Sequence, residues 1–239
     1  LRAGQAEQQP AFVDQEAQVA GLDRFLLGAL GVLHRVLDHA VEGQRLERRL
    51  LRVVALLDGG VSVIELAFRT PQAAEAIQRI RENVPEITIG AGTVLNPQQV
   101  KDAAAVGAAF GVAPGCNPRT LRAAQDCRLP FAPGVATPTD IEIALEHRCN
   151  VLKFFPAETS GGLAHLNNIA TPFAHLGLRY FPLGGINAGN LAMYLQSPLV
   201  ACVGGSWLAK PDVVQKHDWE TIRRNAAEAM TIVRSIQPT

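Results

Sequence analysis

The stretch VSVIELAFRTPQAAEAIQRIRENVPEITIGAGTV (61–94) decides the reading of the fold. VSVIELAF (61–68) is a short run of β-branched and apolar residues, as a buried strand requires. Pro71 then opens PQAAEAIQRIRENV (71–84), where Ala74, Ile77 and Ile80 fall on one helical face. ITIGAGTV (87–94) is strand-like again. A strand, an amphipathic crossover and a second strand predict parallel pairing.

The same alternation continues towards the C-terminus. Further β-like runs are AFGVAPG (109–115), PFAPGV (130–135), NVLKFFP (150–156), RYFPLGGI (179–186) and LVACVGGSW (199–207). Helical patterns lie between them, among them NPQQVKDAAAVG (96–107) and TPTDIEIALEHR (137–148). Pro71, Pro97 and Pro138 mark helix starts, where a missing N–H costs little. The 239 residues are close to the roughly 250 of one such barrel. The expected class is therefore α/β, a (β/α)8 TIM barrel rather than an open doubly wound sheet. No GxGxxG follows a first strand, which argues against a dinucleotide site.

Towards the N-terminus the rhythm fades. A barrel needs one more strand ahead of the helical LERRLLRVVALLDGG (46–60), and the candidate lies within RFLLGALGVLHRVL (24–37). That composition suits a helix as well as a strand. Residues 1–22 are rich in Gln and Ala and read as disordered or irregular. The expected division is an N-terminal segment of unassigned structure at 1–40 and a barrel domain at 41–239.

Charges balance at 22 against 22, so no bulk field favours nucleic acid or an anionic membrane surface. The expected partner is a small molecule. Cys116, Cys127, Cys149 and Cys202 show no CxxC or Cys/His ligand spacing and read as free thiols of a reduced cytoplasm. The histidines form no HxH or HExxH pair, so no metal is expected. FLLGALGVL (25–33) is shorter than the about 20 residues of a membrane span, and with no A-x-A-like site it is not read as a signal peptide.

The chemistry is expected at the C-terminal ends of the strands. Lys153 sits inside the apolar Val-Leu-Lys-Phe-Phe-Pro. A desolvated lysine is the form that attacks a carbonyl; a snorkelling or ion-paired structural lysine fits the placement equally well. Strand alternation puts Glu65, Ala67 and Arg69 on one face. Glu65 is the candidate proton shuttle and Arg69 the carboxylate clamp, against a structural Glu–Arg–Lys network. Thr93 ends the GAGT run and either faces the mouth or caps the next helix. Gly184-Gly185 and Gly204-Gly205-Ser206 fall in the late positions where these barrels bind phosphate through backbone N–H groups. His147, His165 and His175 read as surface or loop residues without a catalytic role.

With E-x-x-x-R-T (65–70), GAGTVLNPQQ (90–99), APG (113–115), PGVATPT (133–139), LKFFPAE (152–158), GGI (184–186) and GGSW (204–207) in this order, the chain resembles the 2-keto-3-deoxy-6-phosphogluconate (KDPG) and 4-hydroxy-2-oxoglutarate (KHG) aldolases. The resemblance implies a class I aldolase with the imine on Lys153 and Glu65 as acid and base. It implies pyruvate contacts from Arg69 and Thr93 and phosphate contacts from Gly184, Gly185 and Ser206. Pro114, Phe155, Leu183 and Gly205 complete the implied substrate site. No cofactor and no metal are implied, and a homo-oligomer, a trimer, is. Two positions depart from the family pattern. Leu183 stands where a threonine that reads the C4 hydroxyl is common, and the usual V/I-P-V first strand is not recognisable. The galactonate epimer as substrate, a phosphate-binding isomerase or epimerase, and a non-catalytic binding barrel remain the alternative readings.

Overall fold

The computed structural model describes residues 32–36 and 45–236. Strand and helix alternate: β1 (Val32–Val36), α1 (Arg45–Asp58), β2 (Val63–Ala67), α2 (Ala73–Asn83), β3 (Thr88–Gly92) and α3 (Pro97–Ala105). They continue as β4 (Gly111–Val112), α4 (Pro118–Asp126), β5 (Phe131–Ala132), β6 (Gly134–Val135) and α5 (Pro138–Glu146). The last units are β7 (Val151–Phe154), α6 (Gly162–Ala170), β8 (Arg179–Pro182), α7 (Leu191–Leu195) and β9 (Val203–Gly205), followed by α8 (Pro211–Gln215) and α9 (Trp219–Ile236).

All pairings are parallel, and together they close a ring. One sheet runs β5-β4-β3-β2-β1-β9 and the other β6-β7-β8. β5 and β6 are one strand interrupted at Pro133, whose carbonyl accepts from the Lys153 N–H at 2.8 Å. Parallel bridges Tyr180↔Val200 and Leu183↔Gly204 join β8 to the β9 side. Counting β5 and β6 as one, eight strands alternate with helices, as a TIM-type barrel requires.

β1 falls within 24–37, the segment expected to supply the missing strand. It pairs with β2 through His34↔Ile64 and with β9 through Val32↔Val203. Pairing on both sides decides for strand where composition is ambivalent. The barrel thus takes in residues ahead of the boundary expected at residue 40. The reading of residues 1–22 lies outside the described residues.

Local signals set the helix ends. Asn96 and Asn117 cap α3 and α4 ahead of Pro97 and Pro118, and Thr137 and Asp140 form a capping box on α5. At Pro71 the helix starts two residues late, because the Ala73 N–H first closes a turn on the Thr70 carbonyl. The buried face of α2 is Ala73, Ala76, Ile77 and Ile80, with Ala74 half-buried at its edge.

Two apolar layers result. Ile64 and Leu66 of β2 point out against the helices, together with Ile77 and Ile80 of α2. Val63, Phe110, Val112, Ala132, Val151, Phe181, Leu183 and Cys202 fill the lumen. No helix among the described residues is long and apolar enough to cross a membrane.

Candidate active site

The lumen parity places the two charged side chains. In β7, Leu152 and Phe154 belong to the outer layer and Val151 to the lumen, so Lys153 points inward. In β2, Val63 belongs to the lumen, so Glu65 points inward too. Lys153 is 2% exposed and Glu65 0%. The Lys153 Nζ donates to Glu65 Oε2 at 3.5 Å, across 88 residues of sequence. The Nζ also lies 5.4 Å from the centroid of the Phe155 ring, within reach of a cation–π contact.

Burying both charges is unfavourable, and their attraction in a low-dielectric interior roughly offsets that desolvation. Such a pair adds little net stability, so folding alone does not account for it. Chemically it juxtaposes an amine and a group that exchanges protons with it, inside a site screened from water.

The other expected site residues gather at the C-terminal rim of the ring. Arg69 follows β2 and is exposed, and Thr93 directly follows β3 and is half-buried at φ 57°. Pro114 follows β4, and Phe155 directly follows β7; both are half-buried. Leu183 directly follows β8 and is 3% exposed, with its side chain in the lumen cluster. Gly184 and Gly185 take φ 103° and 89°, the left-handed region open to glycine. Gly205 ends β9, buried, and Ser206 follows it, exposed.

A sequence profile described as KDPG and KHG aldolase matches residues 40–225. The chain belongs to the KDPG and KHG aldolase family. Among similar proteins, the "KHG/KDPG aldolase" of Escherichia coli K12 is 40% identical over 187 residues, 78% of this chain and 87% of that protein. The "2-dehydro-3-deoxy-phosphogluconate aldolase" of Pseudomonas aeruginosa is 43% identical over 176 residues, 74% of this chain and 79% of that protein. A solved KDPG aldolase from Legionella pneumophila, with pyruvate captured as a covalent carbinolamine, superposes at TM-score 0.79. It is 35% identical, with 85% of this chain and 96% of that one covered. A thiamine phosphate pyrophosphorylase from Pyrococcus furiosus, 18% identical at TM-score 0.65, shares the fold alone.

Members of this aldolase family are carbon–carbon lyases. One feature of this member's rim has no motif in the sequence: the Tyr194 hydroxyl donates to Glu158 Oε1. A lone tyrosine in the apolar Leu-Ala-Met-Tyr-Leu of α7 was the available signal, since a buried hydroxyl normally finds a partner. His165, expected at the surface or in a loop, is in a helix. It lies on α6, half-buried, with Nε2 2.9 Å from the Ala136 carbonyl and its ring 6.0 Å from that of Phe154.

Proposed function

We propose that the chain cleaves 2-keto-3-deoxy-6-phosphogluconate to pyruvate and glyceraldehyde 3-phosphate through a Schiff base on Lys153. On the same reading it cleaves 4-hydroxy-2-oxoglutarate to pyruvate and glyoxylate. The observation that carries this is the buried Lys153–Glu65 pair. Lys101, Lys210 and Lys216 are all exposed, so Lys153 alone among the lysines is desolvated beside a carboxylate.

Attack requires a neutral amine, and Glu65 is placed to take the ammonium proton. Lys153 adds to the C2 carbonyl, and Glu65 passes the proton it took to the carbinolamine hydroxyl, which leaves as water to give a protonated imine and a free Glu65 carboxylate. Glu65 then takes the C4 hydroxyl proton, and the C3–C4 bonding electrons pass into the iminium. The aldehyde departs, Glu65 returns a proton to C3 of the enamine, and hydrolysis frees pyruvate and the amine. The iminium is the electron sink, the part a Lewis acid plays in metal-dependent cleavage. In this proposal Arg69 and Thr93 hold the carboxylate end. Backbone N–H groups of Gly184 and Gly185, with Ser206, hold the phosphate, and Pro114, Phe155 and Gly205 shape the walls. Leu183 offers no hydrogen bond to the C4 hydroxyl, so the galactonate epimer is expected to be turned over as well.

Borohydride added with pyruvate is expected to trap one covalent adduct on Lys153, absent in Lys153→Ala. No adduct in the unaltered chain overturns the proposal. Kinetics on the gluconate-derived acid, its galactonate epimer and 4-hydroxy-2-oxoglutarate then rank the substrates. The family resemblance further supports a homotrimer, checked by light scattering, and the free thiols among the described residues suit a cytoplasmic location.

A further inference from the structure

The loop after β7 is stitched to the turn after β8. The Ala157 N–H donates to the Leu183 carbonyl at 2.9 Å, and the Glu158 N–H to the Gly184 carbonyl at 3.0 Å. The Glu158 side chain lies directly on the turn, because a Cβ on Gly185 would come within 2.5 Å of its Cγ. From the other side, the side-chain amides of Asn187 and Asn190 each donate to the Gly185 carbonyl at 3.1 Å. A carboxylate therefore sits beside a turn that the preceding reading assigns to a phosphate. An ionised carboxylate only accepts hydrogen bonds. Left untied, it competes with phosphate for the N–H groups of the turn and repels the dianion.

Tyr194 supplies the tie. It is fully buried on α7, and its hydroxyl donates to Glu158 Oε1. The same hydroxyl reaches the other side of the loop, 3.4 Å from where a Cβ on Gly162 would stand. Burial first, then the hydrogen bond and charge of Glu158, hold the Tyr194 hydroxyl above the ordinary tyrosine range, so it stays a donor.

We propose that Tyr194 is a positioning residue for substrate choice, holding the Glu158 carboxylate beside the Gly184–Gly185 turn in a hydrogen bond of its own, so that the turn's N–H groups are left to a phosphate monoester. This rests on the phosphate assignment made above. It is independent of the Lys153 chemistry, which concerns the other end of the substrate.

Calorimetric titration of glycerol 3-phosphate into the full chain tests it, with pyruvate trapping by borohydride run in parallel. Tyr194→Phe is expected to weaken glycerol 3-phosphate about tenfold, the size of a lost charge-assisted hydrogen bond, while trapping is unchanged. Glu158→Gln, which removes the charge and keeps an acceptor, is expected to bind at least as tightly as the unaltered chain. The double variant Tyr194→Phe/Glu158→Gln is expected to recover the lost affinity. A double variant as weak as Tyr194→Phe would make Tyr194 merely structural and overturn the proposal. Unchanged binding in Tyr194→Phe, weaker binding in Glu158→Gln, or no binding by the unaltered chain overturns it as well. Absent pyruvate trapping in the unaltered chain would sink the Schiff-base reading and leave the phosphate series to decide on Tyr194.

Discussion

A Cβ built on Gly92 would stand 3.0 Å from the Glu65 carboxyl carbon and 3.2 and 3.3 Å from its two oxygens. Gly92 pairs in register with Ala67 on the neighbouring strand, so the missing side chain is the space into which Glu65 extends. Gly92→Ala is expected to push the carboxylate off its line to Lys153. Loss of a positioned acid/base, or an error near 1 Å in its place, lowers turnover by about a hundredfold or more. The cleavage kcat is therefore expected to fall about 100-fold or more, while pyruvate is still trapped on Lys153. Steady-state kinetics beside borohydride trapping checks this. Trapping slowed in step with cleavage would place the main part of Glu65 in activating Lys153, and unchanged cleavage would show that Gly92→Ala leaves the carboxylate in place.

Removing one partner of a buried ion pair withdraws compensation from the charge that stays buried. Lys153→Met is expected to lower unfolding stability by about 3 kcal/mol. Lys153→Met/Glu65→Gln, which removes both charges at similar volume, is expected to regain most of that loss. Urea titrations of the three proteins measure it. A double variant no more stable than Lys153→Met would show that the charge left on Glu65 is not what destabilises the single variant.

The fold was legible wherever alternation and punctuation agree. The segments read as strands each contain one, and Pro97 and Pro138 open helices as expected. β1 was ambivalent because its identity comes from neighbours, β2 on one side and β9 on the other, which no local composition encodes. Lys153 and Glu65 were each visible as a charge in an apolar strand. Their meeting follows from lumen parity once the ring closes. Glu158 and Tyr194 were not legible as a pair, since 36 residues separate them and only the packing of α7 against the segment after β7 joins them.

Thr93 holds a β-branched side chain at φ 57°, a region that such residues rarely enter. Conformations of this kind cost about 1–3 kcal/mol and persist where the surroundings impose them, commonly at functional sites. Thr93→Gly removes the strain and the hydroxyl together. The variant is expected to gain about 1 kcal/mol, raising the thermal midpoint by roughly 2–4 °C, and to show a higher KM for the keto acid. Calorimetry and steady-state kinetics read the two effects separately. A midpoint that falls would mean that the hydroxyl stabilises the loop by more than the backbone strain opposes it.

Cys202 lies in the lumen at 1% exposure, and burial pushes its thiol from 9.0 up to about 12, offset in part by the Arg179 charge. The folded chain therefore keeps a proton that the unfolded chain releases from pH 9 upward. The stability due to this thiol is fully present below pH 9 and is lost as pH rises towards 12. The decline is at most about 1.4 kcal/mol per pH unit for one thiol. Cys149 and Tyr180, pushed to about 12 with burial the main cause, act in the same direction. Cys202→Ala is expected to make the alkaline fall in urea midpoint shallower between pH 9 and 11. Iodoacetamide at pH 8 is expected to reach Cys202 only as fast as the chain unfolds, because a buried protonated thiol is a poor nucleophile. Rapid labelling of the folded chain at Cys202 would show that the lumen admits solvent there, and the alkaline prediction would fall with it.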